Sequence, residues 1–187
     1  GNKSWAERGN TLFAGVNVPS KTFGELVEHV YHTPRITAPE LMRIKEAGED
    51  HIIIDGRPVN EHNKMTIPGS ICCPNGELPL RLPTMVQSPK TKIIVNCAGR
   101  TRSIIGAQTL INFGIPNPVY ALENGTQGWV LADFQLDYGT TCKYPEKIDE
   151  TRLPALQAAA RKLMERFAVV TVNAQNVQAW LTDENRS

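Results

Sequence analysis

The cysteine at position 97 has neighbours in the sequence that could activate its sulfur as a nucleophile. It follows the β-branched run Lys92–Asn96, and the short segment of residues 98–102 leads directly into a helical pattern. Gly99 lets this segment curl tightly, so that successive N–H groups surround an anion. The positive end of the following helix and two arginines in the segment favour the same charge. Because the thiolate is the reactive form of cysteine, the pattern predicts a nucleophilic Cys97 in an anion-binding loop.

The alternative is that Cys97 is only a packed side chain. Cysteine is often buried at the end of a strand without any chemical role, and Arg100 and Arg102 would then be solvated loop residues. Here a strand, a cysteine, a glycine-containing loop, two arginines and a helix follow one another without interruption. This combination favours the functional interpretation.

The elements around this loop are expected to place it at the edge of a sheet. Short β-branched runs alternate with helical patterns, which is typical of an α/β fold with a parallel sheet covered by helices on both faces. In such sheets ligands bind where loops leave the carboxyl ends of strands. The predicted strands are residues 51–55, 70–73, 92–96 and 118–122, and the predicted helices are residues 39–47, 103–113, 153–167 and a short one that carries Trp129.

Composition narrows the classes of partner and cofactor. Of the 187 residues, 41% are hydrophobic, and the formal net charge of +1 gives no general attraction to nucleic acid or to a membrane. No apolar run has the length of a membrane span, and a reducing, cytoplasmic location fits the four cysteines. The cysteines and histidines show no zinc-ligand spacing, and no glycine-rich nucleotide fingerprint occurs. Neither a metal nor a cofactor is therefore expected.

Two segments near the termini resemble segments of the central part of the chain. Residues 1–5 are similar to residues 125–129, and the segment that starts at Val170 is similar to the one that starts at Ile36. Chance similarity is the alternative, but the order of the segments predicts one complete domain between parts of two further copies. The predicted parts are residues 1–33, the tail of a preceding repeat with a connector; residues 34–139, the complete domain; and residues 140–187, a connector, a helix and the start of a following repeat.

Three motifs, in the same order along the chain, resemble the rhodanese-like sulfurtransferases. Residues 97–103 are similar to the active-site loop of that family. Upstream, residues 55–62 and 67–70 are similar to its Asp-x-Arg-x-x-x-Glu and His-Ile-Pro-Gly-Ala segments. Downstream, residues 122–129 are similar to its closing Gly-x-x-Gly-Trp turn. The resemblance covers roughly residues 34–139 and indicates a protein with several rhodanese domains in tandem.

The resemblance implies a fold and a reaction. The fold is the rhodanese-like three-layer arrangement, a central parallel sheet of about five short strands with helices on both faces. In the reaction, Cys97 takes the outer sulfur of a small donor such as thiosulfate, carries it as a persulfide, and passes it to cyanide or a thiol. Contacts with neighbouring rhodanese domains of the same chain are also implied. The residues that would bind the donor and the persulfide are Ala98, Gly99, Arg100, Thr101 and Arg102, and those that would support the structure are Asp55 and Arg57.

Two departures from the family pattern lie upstream of the loop. Thr66 stands where the family usually has a histidine, and His62 stands where an aromatic residue is common. Both positions lie away from the cysteine loop and leave its chemistry unchanged. Glu61 and His62 are expected at the exposed surface.

Two alternatives to sulfur transfer stay open. Cysteine-dependent phosphatases and arsenate reductases place five residues between the cysteine and the arginine of their loop, whereas four separate Cys97 from Arg102. The smaller loop favours a sulfane sulfur over a phosphate. Rhodanese-like domains also serve as non-catalytic binding or regulatory modules, but inactive copies usually lack the cysteine that is present here.

Overall fold

Five parallel strands form the centre of the molecule, in the spatial order β1-β5-β4-β2-β3. The computed structural model describes residue 4, residues 7–9 and residues 18–183. The predicted α/β fold, with helices on both faces of a parallel sheet, is confirmed. The strands are β1 (Arg35–Ile36), β2 (His51–Asp55), β3 (Ile71–Cys72), β4 (Lys92–Asn96) and β5 (Val119–Leu122). The helices of the described residues are α1 (Val18–Tyr31), α2 (Ala38–Glu46), α3 (Val59–Lys64), α4 (Leu78–Met85), α5 (Thr101–Asn112), α6 (Gly125–Leu131), α7 (Leu153–Arg166) and α8 (Ala174–Leu181), with a 3₁₀ turn at Glu150–Arg152.

Strand β4 lies in the middle of the sheet, between β2 and β5. Ile93 is in register with Ile52 of β2 and with Val119 of β5. Its run of β-branched residues suits a strand that is buried on both faces. Because β4 is central, the loop that follows Asn96 opens between the carboxyl ends of its two neighbours, which is where parallel sheets bind ligands.

The side chains of the sheet alternate between two hydrophobic clusters. On one face Ile54 and Val95 pack with residues of α4 and α5 such as Leu82 and Leu110. On the other face the core is formed with α2 and α6, and its buried members are Ile36, Ala38, Leu41, Ile44, Ile53, Ile67, Ile94, Leu122 and Trp129. The loop that contains Cys97 therefore lies between the two helical layers: it continues into α5 on one face and is close to α6 on the other.

The predicted helices are confirmed, with small shifts at their ends. Helix α2 begins after Thr37, whose hydroxyl accepts a hydrogen bond from the Glu40 N–H (3.4 Å) while the Glu40 carboxylate accepts one from the Thr37 N–H (2.8 Å). This reciprocal cap satisfies two donors at the helix start. Helix α5 starts at Thr101, two residues before its predicted start.

Four of the elements that were not predicted have a local reason; the others are α8 and the 3₁₀ turn. Helix α1 lies in the predicted connector, where glycines such as Gly24 indicate a break in regular structure. Helix α4 contains Pro83, which normally ends a helix. Helix α3 and strand β1 have six and two residues, too few to show a period.

The folded unit extends past residues 34–139 on both sides. Helix α1 packs against α5. After residue 139, the Cys72 N–H donates to the Cys142 carbonyl (3.0 Å) and the Tyr144 N–H donates to the Cys72 carbonyl (2.9 Å). The similarity of residues 1–5 to residues 125–129 falls almost wholly outside the described residues, so the division of the chain into repeats stays a prediction.

Within the part of the chain that the structure describes, no helix is both long and apolar enough to cross a membrane. No cluster of three or more His, Cys, Asp and Glu side chains in that part is arranged to hold a metal ion.

A buried ion pair fixes the carboxyl end of β2. Arg57 donates to Asp55 through Nε (2.9 Å to Oδ1) and Nη2 (2.7 Å to Oδ2), and both side chains are buried. The same Asp55 carboxylate accepts hydrogen bonds from the Thr66 hydroxyl (2.8 Å) and the Asn96 amide (3.2 Å). Charges removed from water are tolerated when they are paired and hydrogen-bonded. The geometry therefore supports a structural role for this pair.

We expect the substitution Arg57→Ala to lower the free energy of unfolding by about 3–5 kcal/mol, because it leaves Asp55 buried without its counter-charge. Urea denaturation followed by circular dichroism measures the change. Lys143→Ala is the control, since it removes an ion pair with Glu146 that lies at the surface. Similar unfolding midpoints for the two variants would contradict the structural role of Arg57.

Candidate active site

Cys97 occupies the first position after β4, at the carboxyl edge of the sheet. Its side chain is 2% exposed, and its Sγ lies 3.6 Å from the hydroxyl oxygen of Ser103. That hydroxyl is itself held by the carbonyls of Arg100 (2.8 Å) and Leu122 (3.2 Å). The thiol is therefore nearly closed off from solvent.

The start of α6 holds two carbonyl groups of the cysteine loop. The Thr126 N–H donates to the Cys97 carbonyl (2.8 Å), and the Gln127 N–H donates to the Ala98 carbonyl (3.1 Å). The Thr126 hydroxyl adds a bond to the Ala98 carbonyl (3.3 Å). The first half of the loop is thus held to α6 by hydrogen bonds to its carbonyl oxygens.

The second half of the loop is fastened in the same way. The Arg100 carbonyl accepts from the Ile104 N–H (3.2 Å) in addition to the Ser103 hydroxyl. The Arg102 carbonyl accepts from the side-chain amide of Asn75 (2.7 Å). Asn75 lies in the turn that follows β3, so a third segment contributes to the shape of the loop.

The N–H groups of the loop, in contrast, are left without partners. The peptide bonds of the described residues are all trans, and a trans peptide points its carbonyl and the following N–H to opposite sides. The N–H groups of Ala98, Gly99, Thr101 and Ser103 therefore point away from the groups that hold the preceding carbonyls. Among the described residues, none accepts a hydrogen bond from the N–H groups of residues 98–103. Such unpaired main-chain donors provide a site for an anion.

A carboxylate neutralises each arginine of the loop. Arg102 donates to Glu61 of α3 through Nη1 (2.7 Å) and Nη2 (2.8 Å), and Arg100 is paired with Glu28 of α1. The hydrogen bonds that Arg102 donates to Glu61 hold the pKa of Arg102 above its usual value, and the bond that Arg100 donates to Glu28 does the same for Arg100. The sequence predicted two cations acting on the sulfur, and the structure gives each of them a counter-ion. The sequence could not show this because the carboxylates come from two other helices.

A cleft of about 260 Å³ lies beside the loop, between α1 and α6. Its lining residues are Lys21, Glu25, Gly99, Arg100, Thr101, Asn124 and Gln127. Three of the predicted loop residues, Gly99, Arg100 and Thr101, are therefore accessible from this side.

Comparison with models of known protein families gives one match, the rhodanese-like domain, over residues 37–132, just over half of the chain. The chain belongs to the rhodanese family. The matched range contains Cys97 and every other position of its loop.

A solved structure extends the likeness to the segments outside the family match. A thiosulfate sulfurtransferase from Pseudomonas aeruginosa is 44% identical to the rhodanese chain, with a TM-score of 0.86. The match covers 100% of this chain but 35% of that protein, so the chain spans about a third of its length. Together with the family match, this similarity supports membership of a sulfurtransferase family.

More distant structures share the fold alone. A protein of unknown function from Rhodopseudomonas palustris, described as a possible tyrosine phosphatase, is 22% identical, with a TM-score of 0.52 over 68% of this chain and 100% of that one. A rhodanese-like domain from Anabaena is also 22% identical, with a TM-score of 0.51 over 63% of this chain and 88% of that one. A search of curated proteins gave no match.

Glu61 and His62 were both expected at the surface of the rhodanese domain, but only Glu61 has an exposed part. His62 is fully buried, with Nε2 3.3 Å from the Ser70 hydroxyl and Nδ1 3.4 Å from the Thr140 hydroxyl. The expectation was wrong for His62, because a helix as short as α3 does not reveal its inward face in the sequence. Glu61 is partly exposed, but it makes the ion pair with Arg102.

Several residues that shape the cysteine loop were not predicted from the sequence. Glu28, Asn75 and Thr126 act across the fold, and nothing in their local sequence marks these contacts. Gly125 carried a signal, since it opens the Gly-x-x-Gly-Trp turn. Its φ of +51° suits glycine, and a Cβ at this position would lie 2.1 Å from the Cys97 carbonyl oxygen.

The other cysteines of the rhodanese domain differ from Cys97 in their surroundings. Cys72 and Cys73 are fully buried, and burial raises the pKa of Cys72 to about 11 and that of Cys73 to about 12. Both are therefore protonated thiols at neutral pH and poor nucleophiles. Cys142 is exposed, and all four cysteines are free.

We expect Gly125→Ala to destabilise the rhodanese domain more than Gly139→Ala. Both glycines have positive φ, and an alanine there costs about 1–2 kcal/mol. Only at position 125 does the added Cβ also collide with the Cys97 carbonyl, since nothing lies within 4 Å of a Cβ at position 139. Thermal unfolding of the two variants measures the difference. Equal losses of stability would show that the contact between Gly125 and the loop is unimportant.

Proposed function

We propose that the rhodanese domain is a thiosulfate sulfurtransferase in which Cys97 carries the transferred sulfur as a persulfide. The observation that carries the proposal is the set of unpaired N–H groups in residues 98–103, next to a single cysteine. A terminal persulfide sulfur is an anion, and main-chain donors that are already oriented stabilise it without reorganisation. The 44% identity to a thiosulfate sulfurtransferase supports the choice of donor.

The first half of the reaction loads the cysteine. The Cys97 thiolate attacks the outer sulfur of thiosulfate and forms a new S–S bond. The bond between the two thiosulfate sulfurs breaks, and sulfite leaves with its electron pair. The loop residues Ala98, Gly99, Arg100, Thr101 and Arg102 hold the donor and then the persulfide, while the pair of Asp55 and Arg57 supports the end of β2 beneath them.

The second half of the reaction returns the cysteine to its starting state. An acceptor, cyanide or the thiolate of a small thiol, attacks the terminal sulfur of the persulfide. The S–S bond to Cys97 breaks, thiocyanate or a new persulfide leaves, and the Cys97 thiolate is restored. Every electron pair comes from a reactant, so the cycle requires neither a metal nor a cofactor. The partners in this proposal are small molecules rather than nucleic acid or membrane, and a reducing cytoplasm suits the four free cysteines.

We further propose that the rhodanese domain belongs to a tandem array, with residues 1–33 and 140–187 as parts of flanking repeats and their connectors. Helix α8 supports this proposal because Asn173 caps it as Thr37 caps α2, with a reciprocal bond to the third helical residue in both. In this register Val177 corresponds to Leu41. Leu41 is fully buried, whereas Val177 is 43% exposed, as expected for the first helix of a unit whose remainder lies elsewhere.

We expect treatment with thiosulfate to add the mass of one sulfur atom to the peptide that contains Cys97. Mass spectrometry of the intact protein and of its peptides measures the addition, and cyanide should then release it as thiocyanate. The variant Cys97→Ser should do neither, whereas Cys142→Ser, which removes the exposed thiol, should behave as the wild type. Equal thiocyanate formation by wild type and Cys97→Ser would contradict the proposal and favour a non-catalytic binding module.

A phosphatase assay separates sulfur transfer from phosphate-ester hydrolysis. The loop has four residues between Cys97 and Arg102, one fewer than a phosphatase loop, and is therefore smaller than a loop that surrounds a phosphate group. We therefore expect no turnover of p-nitrophenyl phosphate above that of Cys97→Ser. Robust hydrolysis that depends on Cys97 would reverse the assignment.

A further inference from the structure

Helix α1 forms a wall of the site although it precedes the range that matches the rhodanese-like domain. Its Gly24 lies directly against Thr101, the first residue of α5: a Cβ at Gly24 would come within 2.8 Å of the Thr101 side chain. The helix backbone is thus in contact with the end of the cysteine loop. Residues of α1 and of the loop also line the same cleft, among them Lys21, Glu25 and Arg100.

Glu28 of α1 lies between two arginines. One of its carboxylate oxygens is paired with Arg100 of the loop, and the other is 3.7 Å from Arg35 at the start of β1. The Glu28 side chain is 15% exposed, compared with 36% for Arg100, so that solvent screens the carboxylate only partly. Glu25 and Glu123 add negative potential at the same guanidinium. Arg100 is therefore paired with one carboxylate and lies in the negative potential of two others in the resting protein.

An anionic donor that uses Arg100 has to compete with this carboxylate. The competition lowers the binding free energy of a donor with two negative charges more than that of a donor with one, because the repulsion from Glu28 scales with the charge of the donor. Thiosulfate carries two charges, whereas an aromatic thiosulfonate carries one and presents the same outer sulfur. Comparing the dissociation constants of these two donors therefore measures the effect of the Glu28 charge on donor binding.

We propose that Glu28 is a specificity-determining residue that weakens the binding of doubly charged sulfur donors by holding Arg100. The inference rests on the proposed function, since it concerns the donor for the same cysteine. Helix α1, which lies outside the family match, would then influence which donor charge the site accepts. Glu28 acts through Arg100 and not on the reacting sulfur, so it should change donor affinity and not the chemical step.

Donor binding to a protein that cannot react tests the proposal without any need for turnover. The background is Cys97→Ser, and titration calorimetry measures its dissociation constants for thiosulfate and for benzenethiosulfonate. Adding Glu28→Gln should tighten thiosulfate binding roughly fivefold, the effect of a partly exposed charge, and benzenethiosulfonate binding roughly twofold. Glu28→Asp keeps the charge on a shorter side chain and should give intermediate values.

The matched control is Glu49→Gln in the same background. Glu49 is paired with Lys92 at the amino end of β4, the end remote from Cys97, so this variant removes the same charge far from the loop. It should leave both dissociation constants unchanged. Thermal unfolding of each variant verifies that α1 remains folded, and Glu28→Asp provides the comparison if Glu28→Gln is destabilised.

The proposal is overturned if thiosulfate binds Glu28→Gln no more tightly than Glu49→Gln, or if both donors gain equally. The absence of binding to all variants overturns it as well. Failure of the proposed function is a separate result: wild-type protein would then form no persulfide and no thiocyanate, whatever the dissociation constants are. If Glu28 had only a structural role, Glu28→Gln would bind both donors more weakly and would have a lower melting temperature.

Discussion

The geometry of the site depends on the hydrogen bonds that hold the carbonyl groups of the cysteine loop. Thr126 and Gln127 of α6 take the first two carbonyls, and Ser103 and Asn75 contribute to holding two later ones. Because peptide groups are planar and trans, fixing a carbonyl also fixes the direction of the next N–H. The loop is therefore an anion site by construction, and its donors are oriented before any ligand arrives. Gly125 makes the approach of α6 close enough for this arrangement.

Beneath the loop, buried polar groups connect β2 to β4. Asp55 receives hydrogen bonds from Arg57, Thr66 and Asn96, and Asn96 is the residue immediately before Cys97. The position of the cysteine is thus set by the end of its own strand and by the charge pair of the neighbouring strand. Thr66, a departure from the family pattern, supplies one of these bonds. Thr66 is therefore a member of this network although it departs from the family pattern.

The sequence predicted the strands and the position of the cysteine loop because both depend on local signals. Strands β2 and β4 are continuous β-branched runs, and their observed limits agree with the prediction. The counter-ions Glu28 and Glu61 depend instead on how α1 and α3 pack against the rest of the fold, which the sequences of these two helices do not show. The burial of His62 was missed for the same reason. What a single sequence conceals here is the set of contacts between elements that are far apart along the chain.

Two ion pairs join the loop to two separate helices, Arg100 to α1 and Arg102 to α3. These two attachments of the loop depend on charge rather than on apolar surface. Charge separation becomes easier as dissolved salt screens the partners, whereas the burial of apolar groups does not weaken in this way. The ionic composition of the surrounding solution therefore acts on the attachment of the loop to α1 and α3, and it leaves the hydrophobic layers on both sides of the sheet unaffected.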